Sequence, residues 1–249
     1  MTYAEIVAHW QKKQIRTAAD IALEMNGNGA AFIYHSAKLE NDSITYHDTR
    51  EIFDHGGVTG YTGDVRSLFE IQNSVSAYYR MLDAFEKREP LDQALIREFQ
   101  GLLTQGTYDT LRYQKGERPG TYKINDYVTG PKEVGALPED VPEELKELLS
   151  ELVDVRPGQA LTAAAYFHAK FENIHPFADG NSRAGRLLMN YLLLLWDHPP
   201  VIIHEEDRKA YYTALERFDT AQELEPLTTF LEEQTVKTWN TRFERAHRK

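Results

Sequence analysis

The sequence predicts an all-α fold carrying one small β-hairpin, and three observations lead there. Apolar residues recur at helical spacing through most of the 249 residues. Gly and Pro gather between those periodic runs rather than inside them. A single stretch, "GERPGTYKINDYVTGPKEVGALPEDVP", changes character and reads as β-prone.

Taken in order, residues 3–25 read as one amphipathic helix that stops at the turn signal "NGNG". "GAAFIYHSAKLEND" reads as a short helix, and Ile44 to Phe53 opens another after a polar break. The Gly-rich "DHGGVTGYTGD", residues 54–64, reads as a loop before two longer helices near 65–87 and 91–104. "TYKI" and "YVT" flank "ND" between Gly and Pro, a hairpin signature, and strands this short form a flap on a helical body rather than a sheet core. Helices resume at Pro142 with "PEELKELLSELVDV", then 159–173, 182–196, about 205–218 and 224–243. No repeat, low-complexity tract or long linker divides the chain.

Composition narrows the function. With 41% hydrophobic and 27% charged residues, the chain has the make-up of a soluble globular protein long enough for a substantial core. Its 39 acidic against 28 basic residues, a formal net charge of −11, speak against a nucleic-acid partner gripped over many phosphates. The absence of cysteine removes disulfides, thiolate catalysis and thiolate metal sites. The first 25 residues lack the apolar core of a signal peptide. Leu187 to Trp196, broken by Asn190, falls far short of the roughly 20 residues that cross a bilayer. The expectation is a cytoplasmic protein with no membrane partner.

Chemistry concentrates in "HPFADGNSRAGR", residues 175–186, ahead of a strongly apolar helical run. Gly180-Asn181 suits a tight turn that leaves the first N–H groups of the next helix pointing outward, where they attract anions. Arg183 and Arg186, three apart near that helix start, project from nearly one face and match phosphate oxygens. They form a polyphosphate cradle without a P-loop lysine, since "GxxxxGK[ST]" is absent. Asp179, at the rim of the turn, is a candidate magnesium ligand beside bound phosphates, and His175 is the loop group suited to accept a proton near neutral pH.

This stretch resembles the Fic family motif HxFx(D/E)GNxRxxR at every fixed position: His175, Phe177, Asp179, Gly180, Asn181, Arg183 and Arg186. "AAYFHAKFENI" resembles the helix preceding that motif, and "RPGTYKINDYVTG" the flap, so the likeness covers about residues 91–235. It implies a Fic-type helical bundle with an N-terminal helical region over 1–90, a catalytic core over 91–235 and a helix end over 236–249. It also implies transfer of AMP from ATP, with Mg²⁺, to a Ser, Thr or Tyr hydroxyl of an unknown target protein. On that reading His175 deprotonates the hydroxyl, Asp179 holds Mg²⁺, and Gly180, Asn181, Ser182, Arg183 and Arg186 hold the phosphates while pyrophosphate leaves. Phe177 anchors the loop. A kinase within the family departs from the Gly-Asn pair, which this chain keeps, so the resemblance favours nucleotidyl transfer.

"HSAKLEN" resembles the family's inhibitory motif, (S/T)xxxE(G/N), through Ser36, Glu40 and Asn41, and its place ahead of the core implies the intramolecular, N-terminal type. A Glu40 carboxylate on Arg186 would take the guanidinium from the γ-phosphate and misplace the α-phosphorus. By the same resemblance, Thr121, Tyr122, Lys123, Val128, Thr129 and Gly130 belong to a flap that clamps the target backbone by strand addition, and Tyr211 and Tyr212 fall at nucleoside contacts. His168 and His204 read as structural. Relatives often pair through helical surfaces, so a homodimer and self-modification are further expectations. The alternatives are removal of AMP from a modified protein, transfer of another phosphate-linked group, and a catalytically idle nucleotide-binding module.

Overall fold

The computed structural model describes residues 1–25, 28–128, 134–156 and 158–246, with side chains described as far as residue 240. Twelve α-helices account for the architecture of these residues. They are α1 (Tyr3–Lys12), α2 (Ala18–Met25), α3 (Asn28–Lys38), α4 (Tyr46–His55), α5 (Val65–Glu86), α6 (Gln93–Thr104), α7 (Thr110–Gln114), α8 (Val141–Glu151), α9 (Ala160–Ile174), α10 (Asn181–Leu195), α11 (Arg208–Ala221) and α12 (Glu225–Ala246). A 3-10 turn, Glu205–Asp207, leads into α11.

Helix α10 is buried along most of its length because α3, α5, α6 and α9 pack around it. Leu188, Met189, Tyr191 and Leu193 have no exposed surface, and each such side chain stabilises the fold by about 1.5–3 kcal/mol through its removal from water. Together α9 and α10 separate two cores. Phe167, Phe171, Ile174, Leu188 and Tyr191 face the larger one, which also takes in Ile6, Trp10 and Phe99. Leu161, Ala164, Met189 and Leu193 face the smaller one under α11 and α12. The site-bearing loop between α9 and α10 is therefore anchored at both ends by buried helix.

The N-terminal residues are continuous with this body. Trp10 meets Trp239 of α12 edge to face at 5.4 Å, and α3 buries Phe32, Ile33 and Ala37. At Gly29 the Phe53 ring lies where a Cβ would come within 2.6 Å, which lets α3 and α4 approach closely.

Two expectations from the sequence need correction. The helix expected over 3–25 is broken, because Gln14 takes a left-handed backbone (φ 51°) and α2 starts afresh. There the Asp20 carboxylate accepts from the amides of Arg16 and Thr17 at 2.9 and 2.8 Å, and the Asp20 amide donates to Thr17 Oγ1. That reciprocal cap outweighs the amphipathic period running through it. The second correction concerns the hairpin: no strand forms among the described residues of the flap, where Val134 alone makes an isolated bridge. Its backbone donors are taken elsewhere. The Lys123 amide donates to Pro176 O at 2.9 Å, and the Ile124 and Asn125 amides donate to the Glu117 carboxylate at 3.2 and 3.1 Å. Thr129 and Gly130 lie outside the described residues.

Candidate active site

His175 ends α9 in a left-handed conformation (φ 50°, ψ 62°), and its amide donates back to Phe171 O. A non-glycine residue there costs on the order of 1 kcal/mol and turns the chain sharply out of the helix. The loop is then stapled by Asn181. Its carboxamide accepts from the Phe177 amide at 2.9 Å and donates to Phe177 O at 2.8 Å, while the Phe177 ring is fully buried. Gly180 (φ 80°) closes the turn, and a Cβ there would come within 2.5 Å of Thr104 Cγ2. The first turn of α10 consequently opens towards a cleft of about 400 Å³.

That cleft is lined by His175, Asp179, Gly180, Asn181, Ser182 and Arg183, together with Glu40 and Val128. These six residues of the expected loop thus share one cavity. Arg186 lies behind it, 3% exposed, and contacts the N-terminal region. Its Nη1 is 2.9 Å from Glu40 Oε1, while Nε and Nη2 donate to Ser36 Oγ (3.0 Å) and Ser36 O (2.8 Å). Two residues of the "HSAKLEN" segment thus hold one guanidinium. The third, Asn41, turns away and donates to Ser67 Oγ at 2.9 Å and Glu70 Oε2 at 2.7 Å.

Burial, reinforced by the Lys123 ammonium, pulls His175 down to about 4, with Asp179 opposing. The ring is neutral at pH 7 and free to accept a proton, though at that value it is a weak base. Asp179 is ringed by guanidinium groups: Arg66 Nη2 at 3.1 Å, Arg183 Nη2 at 3.6 Å and Arg112 Nη2 at 3.7 Å. Among the described residues no group of three or more His, Asp or Glu side chains could hold a metal. One carboxylate with phosphate oxygens and water is nevertheless a common magnesium environment. The donor set fits a cation carried on a polyphosphate and does not fit a protein-only cage.

Tyr212 and Tyr211 part company. Tyr212, 38% exposed, donates from its hydroxyl to Glu40 Oε1 at 3.0 Å. Tyr211 has no exposed surface; its hydroxyl is 2.6 Å from His168 Nε2 and its ring stacks on His168. Of the two tyrosines expected at the nucleoside, Tyr211 is buried and does not line the cleft in this conformation. The structural reading of His168 agrees with its full burial, which pulls it down to about 3. In the flap, Thr121 donates to Arg118 O, Tyr122 to Gln93 Oε1 and the buried Lys123 to Tyr127 O, while Val128 is exposed. The Lys123 and Ala136 amides reach Pro176 O and Ile174 O, so the flap docks on the residues either side of His175.

Sequence reasoning missed Arg66, Glu70, Gln100, Arg112 and Glu172. Gln100 donates to Asp179 O at 2.8 Å and accepts from the Gly120 amide at 2.6 Å, joining α6, loop and flap. Glu172 sits under the start of α10, accepting from Ser182 Oγ at 3.1 Å, and burial pushes it up to about 8. These residues come from separate elements, and no local pattern marks them. Glu172 alone left a trace, as the one acid of α9.

Residues 90–193 match the Fic/DOC family model. The chain carries a Fic/DOC segment over those residues. It is 29% identical over 210 residues, 83% of its length, to the protein adenylyltransferase Fic of Drosophila persimilis, and 28% identical over the same length to that of Drosophila willistoni. It spans 39% and 40% of the length of those two relatives. Among solved structures it is similar to a Fic domain containing signaling protein from Bacteroides thetaiotaomicron, with a TM-score of 0.77 and 23% identity over 95% of this chain and 93% of that one. Fic-1 from C. elegans superposes with a TM-score of 0.74 and 22% identity, over 99% of this chain and 76% of that one. These neighbours share the Fic fold, and among the described residues no helix is long and apolar enough to cross a membrane.

Proposed function

We propose that this protein is a self-inhibited protein adenylyltransferase, which moves AMP from ATP to a hydroxyl of a target protein and releases pyrophosphate. The observation that carries the reading is the cleft itself, where His175, Asp179 and the open start of α10 converge. The target hydroxyl loses its proton to His175 as its oxygen attacks the α-phosphorus, and the bond to the β-phosphate oxygen breaks. Amides of Gly180 to Ser182 stabilise the charge that develops, and Arg183 and Arg186 receive the outer phosphates. Asp179 would hold Mg²⁺, whose role when bound is to neutralise phosphate charge. The anionic triphosphate offsets the Lys123 ammonium, which raises His175 towards the range of an effective base. The flap gives the target segment a place beside His175.

The brake rests on the 2.9 Å contact of Glu40 with Arg186. While it stands, the guanidinium is committed and the carboxylate repels incoming phosphates. Glu40 also lines the cleft, which supports a second reading in which it activates water to remove AMP from a modified protein. The family relatives support a protein target and ATP; a homodimer and a cytoplasmic location belong to the same proposal.

The test is label transfer with Mg²⁺, using ATP labelled at the α- or the γ-phosphate, for the native chain, Glu40→Gly and Glu40→Gly/His175→Ala. Protein-bound α-label that rises with Glu40→Gly and vanishes in the double variant is the expected result. Incorporation of γ-label would replace nucleotidyl transfer with phosphorylation.

A further inference from the structure

Arg66 opens helix α5, outside residues 90–193 that match the family model. Its Nη2 lies 3.1 Å from Asp179 Oδ2, and its Nε lies 3.0 Å from Glu70 Oε1. The other oxygen of Glu70 accepts from Asn41 Nδ2 at 2.7 Å. Asn41 follows Glu40 directly, and its own amide is held by Ala37 O at the end of α3. A continuous set of hydrogen bonds therefore runs Asn41, Glu70, Arg66, Asp179. It leaves the same turn of chain that sends Glu40 to Arg186. One turn touches both ends of the proposed triphosphate site.

A guanidinium on a carboxylate occupies the lone pairs that a divalent cation needs. Arg66 supplies a positive charge to Asp179 while no cation is there, and a cation bound to that carboxylate must displace it. The Arg66 side chain is 44% exposed against 16% for Asp179, so it has room to swing into solvent. Glu70 is 7% exposed and tied to Asn41, so it stays as the fixed pivot.

We propose that Arg66, positioned from Asn41 through Glu70, is a second arm of the intramolecular brake: it occupies Asp179 and competes with the divalent cation that arrives on the nucleotide. The proposal rests on the nucleotide-binding reading of the cleft. Arg66 acts through Asp179 and is a positioning residue rather than a catalytic one. Glu40 guards the outer-phosphate arginine, and Arg66 guards the cation ligand.

The experiment is calorimetric binding of a non-hydrolysable ATP analogue to the full chain, with Mg²⁺ and with EDTA. It compares Glu40→Gly with Glu40→Gly/Arg66→Ala and Glu40→Gly/Arg66→Lys, each checked for an unchanged thermal transition. Loss of Arg66 is expected to raise the ratio of Mg²⁺-loaded to metal-free affinity by about 2- to 5-fold, the size of an exposed ion pair. Lysine, a point charge in place of a two-armed fork, is expected to restore part of the original ratio. A ratio that does not move, with the analogue still bound, overturns the second arm and leaves the nucleotide reading intact. Equal weakening of both affinities overturns it too, by making Arg66 a phosphate contact. If no analogue binds to Glu40→Gly, the nucleotide reading itself falls and takes the arm with it.

Discussion

Glu40 and Tyr212 share a single oxygen: the Tyr212 hydroxyl donates to Oε1 at 3.0 Å, the same atom that meets Arg186 Nη1 at 2.9 Å. The Glu40 carboxylate is thus held by α11 as well as by α10. Tyr212→Phe keeps the ring and removes one donor, so basal label transfer should rise about 3- to 10-fold, the equivalent of the net contribution of one ordinary hydrogen bond. Glu40→Gly should raise it on the order of 100-fold. Equal rates for native and Tyr212→Phe chains would show that Arg186 alone holds Glu40.

His175 should titrate near 4 without ligand, because burial and the Lys123 ammonium disfavour its charged form. Nucleotide brings negative charge into the cleft, and the midpoint should move upward. An NMR titration of the ring with and without a non-hydrolysable analogue reads this directly. A midpoint indifferent to the analogue would separate the histidine from the phosphates. His175→Ala should abolish transfer while leaving analogue binding within about 3-fold, since the ring is needed for the proton and not for the cradle.

Asn181 makes both of its carboxamide bonds to the Phe177 backbone, and both residues are almost fully buried. Asn181→Ala leaves a buried amide and carbonyl unsatisfied, so denaturant unfolding should show a loss of about 1–3 kcal/mol. Transfer should fall as well, because His175 and Asp179 flank the loosened staple. A destabilised chain with full activity in a Glu40→Gly background would mean that the loop keeps its shape without Asn181.

Buried titrating groups set opposing pH effects on stability. His168 is lowered to about 3, His198 to about 4 and His35 to about 4, each chiefly by burial. Above the ordinary histidine value near 6.5 their contribution is complete; as pH falls from there through these lowered values the unfolded chain takes up protons first, and stability is lost. Glu172 runs the other way, being raised to about 8 by burial. Its contribution is complete below the ordinary carboxylate value near 4.5 and is lost as pH rises towards 8. Glu172→Gln should therefore flatten the decline between pH 4.5 and 8 and leave the acid limb unchanged. A parallel shift of the whole profile would assign Glu172 a packing role only.

What the sequence made legible follows from how local each feature is. The turn from His175 to Arg186 is contiguous, and its helix start, left-handed glycine and paired arginines are short-range consequences of residue type, so they could be read in advance. Helix α10 was equally plain from its apolar run. The split between α1 and α2 was misread because the hydrophobic period passes straight through it. The break is set by the Thr17 and Asp20 cap, which the apolar period does not record. The hairpin failed for another reason: β-prone residues form strands only when a partner takes their donors, and here Glu117 and Pro176 take them instead. Arg66, Glu70 and Gln100 reach Asp179 or its neighbours from distant helices, and no spacing rule carries that information.

The end of α3 also fixes how the proposed inhibited state can be left. Leu39 and Ile44, on either side of Glu40 and Asn41, are 4% and 1% exposed, and Ala37 is 1% exposed. Lifting the helix away would tear those side chains out of the core. What can move cheaply is the Glu40 side chain alone, whose own bonds rotate in picoseconds to nanoseconds. Switching is then a matter of occupancy rather than of a slow structural step: the population of turned-out carboxylate follows whatever competes for Arg186, and it should track nucleotide concentration without a lag.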